Sequence, residues 1–68
     1  MAITLKAARV NVDLTQEEAA KAIGVTQNTV YRWEKGVSAP HIKYIPKICE
    51  VYKLENYNDV IFLAATNA

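Results

Sequence analysis

Apolar residues in this chain recur at helical rather than alternating spacing, and they do so in short groups. Leu5, Ala8 and Val12 fall on one side of a segment over about 4–10. Ala19, Ala20 and Ile23 do the same in a segment from Thr15, and Val30 and Trp33 in a segment from Thr26. A fourth stripe is Ile45, Ile48, Cys49 and Tyr52. The continuous apolar run at 60–65 is too short to choose its own period. A fifth helix is expected there, starting near Asn58 and carrying Val60, Ile61 and Phe62. No strand is predicted. Gly24, Gly36, Pro40 and Pro46 separate the segments. Pro46 costs no helical hydrogen bond in a first turn, so the fourth helix should begin near Tyr44.

The helix starts are marked by threonines. Thr4 can cap the first segment. Thr15-Gln16-Glu17-Glu18 reads as a capping box, in which Thr15 accepts from the Glu18 amide and Glu18 reaches back. Thr26 caps the third segment. Gly24 fits the left-handed position after a helix, and Gly36 ends the next one.

The two Thr-Gln starts lie eleven residues apart, joined by the tight corner Gly24-Val25-Thr26. Short helices joined this way pack at a steep angle, as in a helix-turn-helix unit. The small Ala19 and Ala20 allow close approach. A helix N-terminus offers free amides and partial positive charge, which suit phosphate. Gln16 can therefore grip a phosphate from the edge. Gln27 can project from the tip of the second helix of the unit into a major groove. There its amide can donate to N7 of adenine and accept from N6.

Composition narrows the class. The 68 residues are 51% hydrophobic and 22% charged, which fits one small globular domain near the lower size limit for a core of its own. A partner or second copy could complete its burial. The net charge of +1 argues nothing by itself. Residues 26–47, however, hold Arg32, Lys35, Lys43 and Lys47 against Glu34 alone, while residues 48–68 hold Lys53 against Glu50, Glu55 and Asp59. A basic middle and an acidic end give an oriented field. The lone Cys49 cannot form an internal disulfide and has no companions at zinc spacing. A reducing, cytoplasmic location is expected. No secretory signal or membrane-length apolar run is visible. No metal, cofactor or small-molecule ligand is expected. No nucleophile–base set and no glycine-rich phosphate cradle occurs, so an enzyme is not predicted.

The stretch "LTQEEAAKAIGVTQNTVYRWEKGVSAP" resembles the phage-repressor helix-turn-helix family of the Cro/lambda-repressor (XRE) type. The likeness covers about residues 3–63 and includes the Gln16–Gln27 interval, Trp33-Glu34-x-Gly36, Pro40 and the proline entry "KYIPKI". It implies an all-α, compact five-helix lambda-repressor-like DNA-binding domain over residues 1–68, with its helix-turn-helix unit at about 15–35. It also implies base reading by Gln27, Asn28 and Arg32, with Arg32 suited to guanine O6 and N7. Phosphate contacts are implied for Thr15, Gln16, Thr26, Thr29, Tyr31, Ser38 and Lys43. Arg9 and Glu34 are implied to pair internally. The loop "GVSAPHI" departs from relatives with several basic residues there, so fewer phosphate contacts are expected.

The resemblance implies a transcriptional regulator, in particular a Cro-like repressor on a palindromic operator in double-stranded DNA. The alternative is an antitoxin-type or protein-interaction helix-turn-helix module. A homodimer is expected at least on DNA, with Tyr57, Val60 and Phe62 as its contact. Plainer roles are expected for several residues. Trp33 should be core, Cys49 a buried small hydrophobe, and Glu17 and Glu18 cap and dipole residues. His41 stands alone. Tyr31 is as readily an ordinary exposed tyrosine as a phosphate ligand.

Overall fold

The computed structural model describes residues 3–55 and 60–61. Four α-helices follow one another: α1 (Leu5–Asn11), α2 (Gln16–Ile23), α3 (Gln27–Lys35) and α4 (Ile45–Val51). A 3-10 turn, Ile42–Tyr44, leads into α4. All three threonine caps form: Thr4 accepts from the Ala7 amide, Thr15 from that of Glu18 and Thr26 from that of Thr29. The capping box closes reciprocally, because the Thr15 amide donates to Glu18 Oε1 at 2.9 Å. Hydrogen bonding from Thr15, its backbone amide first and then its side chain, holds the Glu18 carboxyl below its ordinary pKa.

Glycine occupies the expected left-handed corners, Gly24 at φ 95° and Gly36 at φ 79°. The break between α1 and α2 is made without glycine. Asp13 takes φ 59° there, a conformation its short polar side chain tolerates. Pro46 stands in the first turn of α4, where its missing N–H is harmless.

The core is the meeting of the predicted stripes. Leu5, Ala8, Ala19, Ile23, Trp33, Ile48 and Tyr52 form one buried cluster. Trp33 is 5% exposed and packs on Tyr44 with ring centroids 5.8 Å apart. Alanines at 19 and 20 are both buried, so α2 can lie close to α3. Cys49 is half-buried rather than fully enclosed.

The expected fifth helix needs correction. Val60–Ile61 are extended and pair in parallel with Ile3–Thr4, in the register Ile3↔Val60 and Thr4↔Ile61. Three of the four residues in this pairing are β-branched apolar and the fourth is threonine, types that favour strand geometry. Both ends of the described chain are thus tied together beside α1. The architecture is a compact four-helix, all-α domain with this one short pairing. Asn58 and Phe62, the other residues expected in that helix, lie outside the described residues. Of the expected dimer contact, Tyr57 and Phe62 also lie outside them, and Val60 is in the pairing with Ile3.

Candidate nucleic-acid interface

The orientation of α2 and α3 is fixed by one buried ionic cluster. Arg9 on α1 donates from Nε to Glu34 Oε2 at 2.6 Å and from Nη2 to Glu34 Oε1 at 3.1 Å. Its Nη1 donates to the Leu14 carbonyl at 2.8 Å, in the α1–α2 connection. Gln16, at the start of α2, donates from Nε2 to Glu34 Oε1 at 3.1 Å. The side chains of Arg9 and Glu34 are only 10% and 5% exposed. The hydrogen bonds to Glu34 hold the Arg9 guanidinium more firmly protonated than usual, against the opposing effect of burial. A two-pronged pair with further bonds to Leu14 and Gln16 offsets its desolvation; one partner alone would not. The pairing of Arg9 with Glu34 implied by the family resemblance is therefore present, with Gln16 as a third member.

On the other side of α3 the chain is open. Gln27, Asn28, Tyr31, Arg32 and Lys35 are exposed, while Val30 and Trp33 are buried behind them. Gln27, Asn28 and Arg32 form no side-chain hydrogen bond among the described residues. Gln16, Gln27, Asn28 and Tyr31 line one shallow groove of about 290 Å³. So the two Thr-Gln starts do converge on one surface. Arg32 lies on the exposed face of α3 outside that groove.

The expected phosphate ligands differ in how free they are. The Thr15 oxygen accepts from Glu18, and Thr15 itself is exposed. Thr26 and Thr29 share a hydroxyl–hydroxyl bond of 2.8 Å, so one of their two hydroxyl protons is already committed. Gln16 spends one amide N–H on Glu34 and keeps the other. Ser38 is half-buried in the α3–α4 loop. Lys43 is exposed, with Nζ 5.2 Å from the Tyr44 ring centroid, and its backbone amide donates to His41 Nδ1 at 3.1 Å. His41 thus caps the 3-10 turn, a role its isolation in sequence did not reveal. Tyr31 is 45% exposed, with Lys35 Nζ 5.7 Å from its ring centroid.

Charge near the groove is less negative than residue types alone indicate. Glu34 lies at its margin, yet Arg9 neutralises it from behind. Among the described residues no group of three or more His, Cys, Asp or Glu is placed to hold a metal ion. No described helix is long and apolar enough to cross a membrane.

A two-helix corner with a capped, outward-facing second helix defines a helix-turn-helix domain. The chain belongs to the helix-turn-helix family HTH_3, of the XRE or Cro/C1 type, which matches residues 5–55. That family consists of non-enzymatic DNA-binding regulators. The chain is 43% identical over 44 residues to the cryptic phage CTXphi transcriptional repressor RstR of Vibrio cholerae, covering 65% of this chain and 40% of RstR. It is 33% identical over 57 residues to the antitoxin PezA of Streptococcus pneumoniae, covering 84% of this chain and 35% of PezA. It is also 36% identical over 62 residues to an uncharacterized HTH-type transcriptional regulator of Archaeoglobus fulgidus, covering 91% of this chain and 87% of that protein. The chain therefore spans about two fifths of RstR, about one third of PezA and most of the archaeal regulator. No solved structure matches it.

Proposed function

We propose that this domain is the sequence-specific DNA-binding element of a transcriptional repressor, with α3 seated in the major groove. The observation that carries the reading is the outer face of α3. Gln27, Asn28 and Arg32 are exposed there with their hydrogen-bonding groups uncommitted among the described residues, on a helix held by Glu34 at its far end. Free polar groups on a fixed helix are what base edges require. Gln27 reads adenine, Arg32 reads guanine, and Asn28 takes the neighbouring position. Thr15, Gln16, Thr26, Thr29, Tyr31, Ser38 and Lys43 supply backbone contacts around them. The relation to RstR, a phage repressor, supports a Cro-like role.

One recognition helix reads too few base pairs to find a site in a genome. The proposed solution is a homodimer on a palindromic operator, with half-sites about one helical turn apart. Tyr57, Val60 and Phe62 are the proposed contact, since the acidic Glu55 and Asp59 keep that end away from phosphate.

Selection of bound sites from random duplexes tests the reading. A two-fold-symmetric consensus is the expected result, and failure to enrich any sequence would refute it. The relation to PezA favours a second reading, an antitoxin domain. Co-purification separates the two, because an antitoxin holds its toxin polypeptide in a stable complex, whereas a repressor needs only its operator.

A further inference from the structure

A second groove, of about 390 Å³, adjoins the first and shares Gln16 and Tyr31 with it. Its remaining lining is Lys6 of α1, with Glu34 and Lys35 of α3. Two exposed lysines from different helices thus meet one cavity. The carboxylate in its wall is held by Arg9 and Gln16, so it opposes an incoming anion little. Lys35 also stands over the Tyr31 ring, which steers its stem along the groove. Neither lysine has a salt-bridge partner among the described residues.

The two grooves form one track along α3. Lys35 lies eight positions beyond Gln27 on the same face, a rise of about 12 Å. The major groove of B-DNA is about 12 Å wide and about 8.5 Å deep. With the Gln27 tip at the base edges, the Lys35 end of the helix stands at the phosphate rim. We infer that the cavity between α1, α2 and α3 is an anion site in which Lys6 and Lys35 clasp one phosphodiester of the DNA strand flanking the half-site. This rests on the reading of α3 as the recognition helix, and it extends the DNA-contacting surface to α1. The two ammonium groups fix how far α3 enters the groove, so they contribute affinity on any sequence.

The test is the salt dependence of binding to a selected duplex and to a random one. Lys6→Gln and Lys35→Gln are compared with Lys53→Gln, an equal charge change at an exposed lysine that lines neither groove. Each groove variant should lower the slope of log K against log salt by about half a unit on both duplexes, because the two lysines share one phosphate. Lys6→Arg should restore it, and Lys53→Gln should leave it near wild type. Replacing the flanking phosphates with neutral methylphosphonates should erase the difference between wild type and Lys6→Gln. Wild-type binding with unchanged slopes in both groove variants would overturn the site while leaving the DNA-reading function intact. A wild-type chain that binds no duplex at all would overturn both. Saturable binding of inorganic phosphate at the Lys6, Tyr31 and Lys35 amides by NMR, with the DNA slopes unchanged, would assign the cavity to a free anion instead.

Discussion

Gln16 and Glu34 share a hydrogen bond of 3.1 Å between the first residue of α2 and the last turn of α3, so each helix of the DNA-binding corner holds the other in place. Arg9 binds the same carboxylate from α1. The corner is therefore set by a three-residue cluster rather than by the Gly24-Val25-Thr26 turn alone.

Removing Glu34 leaves the Arg9 guanidinium buried without its counter-charge. Glu34→Ala should cost about 3–5 kcal/mol, against a total stability of roughly 3–10 kcal/mol for a chain of this size. Urea unfolding should show a midpoint lowered by a large fraction of the wild-type value. The double variant Arg9→Met/Glu34→Leu removes both charges and should be more stable than either single change. A double variant as unstable as Glu34→Ala would mean that packing around the pair, not its charge, sets the cost.

Gly24 isolates the backbone contribution of the turn. A Cβ added there meets nothing within 4 Å, yet φ is +95°. Gly24→Ala should therefore lose about 1–2 kcal/mol through the left-handed backbone alone. Gly24→Asn should lose less, since asparagine visits that region more readily. Equal losses in thermal unfolding for the two variants would point to a cause other than backbone conformation.

These two cases separate what was legible in the chain from what was not. Caps and glycine corners are local chemistry, so Thr4, Thr15, Thr26, Gly24 and Gly36 could be placed from their neighbours in sequence. The buried faces followed from spacing, and Trp33 and Ile48 are where the stripes put them. The bond from Gln16 to Glu34 spans eighteen positions, and nothing local marks it. Its position at a helix start marks Gln16 as a candidate phosphate ligand, but gives no sign of its bond to Glu34. The extended pairing of Val60–Ile61 escaped for a related reason. A few apolar residues satisfy a helix and a strand equally, and the pairing with Ile3–Thr4 decided the matter from the far end of the chain. Lys6 was overlooked because α1 precedes the motif, and only the packing of α1 against α3 brings it to the same surface.

Tyr52 predicts an alkaline limit to stability. Its phenol is buried, and burial first, then the Glu34 charge, push its pKa up to about 12. The unfolded value is about 10. A raised pKa contributes stability that is fully present below the unfolded value and is lost as pH rises through the folded one. Unfolding free energy should therefore fall from pH of about 10 towards 12, by at most ~1.4 kcal/mol per pH unit from this group. Tyr52→Phe has no proton to lose and should show a shallower decline. Parallel decline in wild type and Tyr52→Phe, followed by urea unfolding at several alkaline pH values, would exclude Tyr52 as the source.

The division of labour between groove reading and backbone gripping can be tested with one pair of variants. Gln27 is exposed at the tip of α3, so Gln27→Ala should leave the melting temperature nearly unchanged. On the selected site it should cost about 1–3 kcal/mol and relax preference at one base pair in each half-site. Random duplex should be bound almost as before. Lys43 is exposed beside the α3–α4 loop and, among the described residues, carries a charge with no directional partner beyond the Tyr44 ring. Lys43→Ala should weaken selected and random duplexes alike and lower the salt slope by about one unit. Binding isotherms on both duplexes over a salt series distinguish the two patterns. Full discrimination among operator variants by Gln27→Ala would remove Gln27 from the reading set. A loss confined to the selected site in Lys43→Ala would instead move Lys43 from the phosphate rim into the groove.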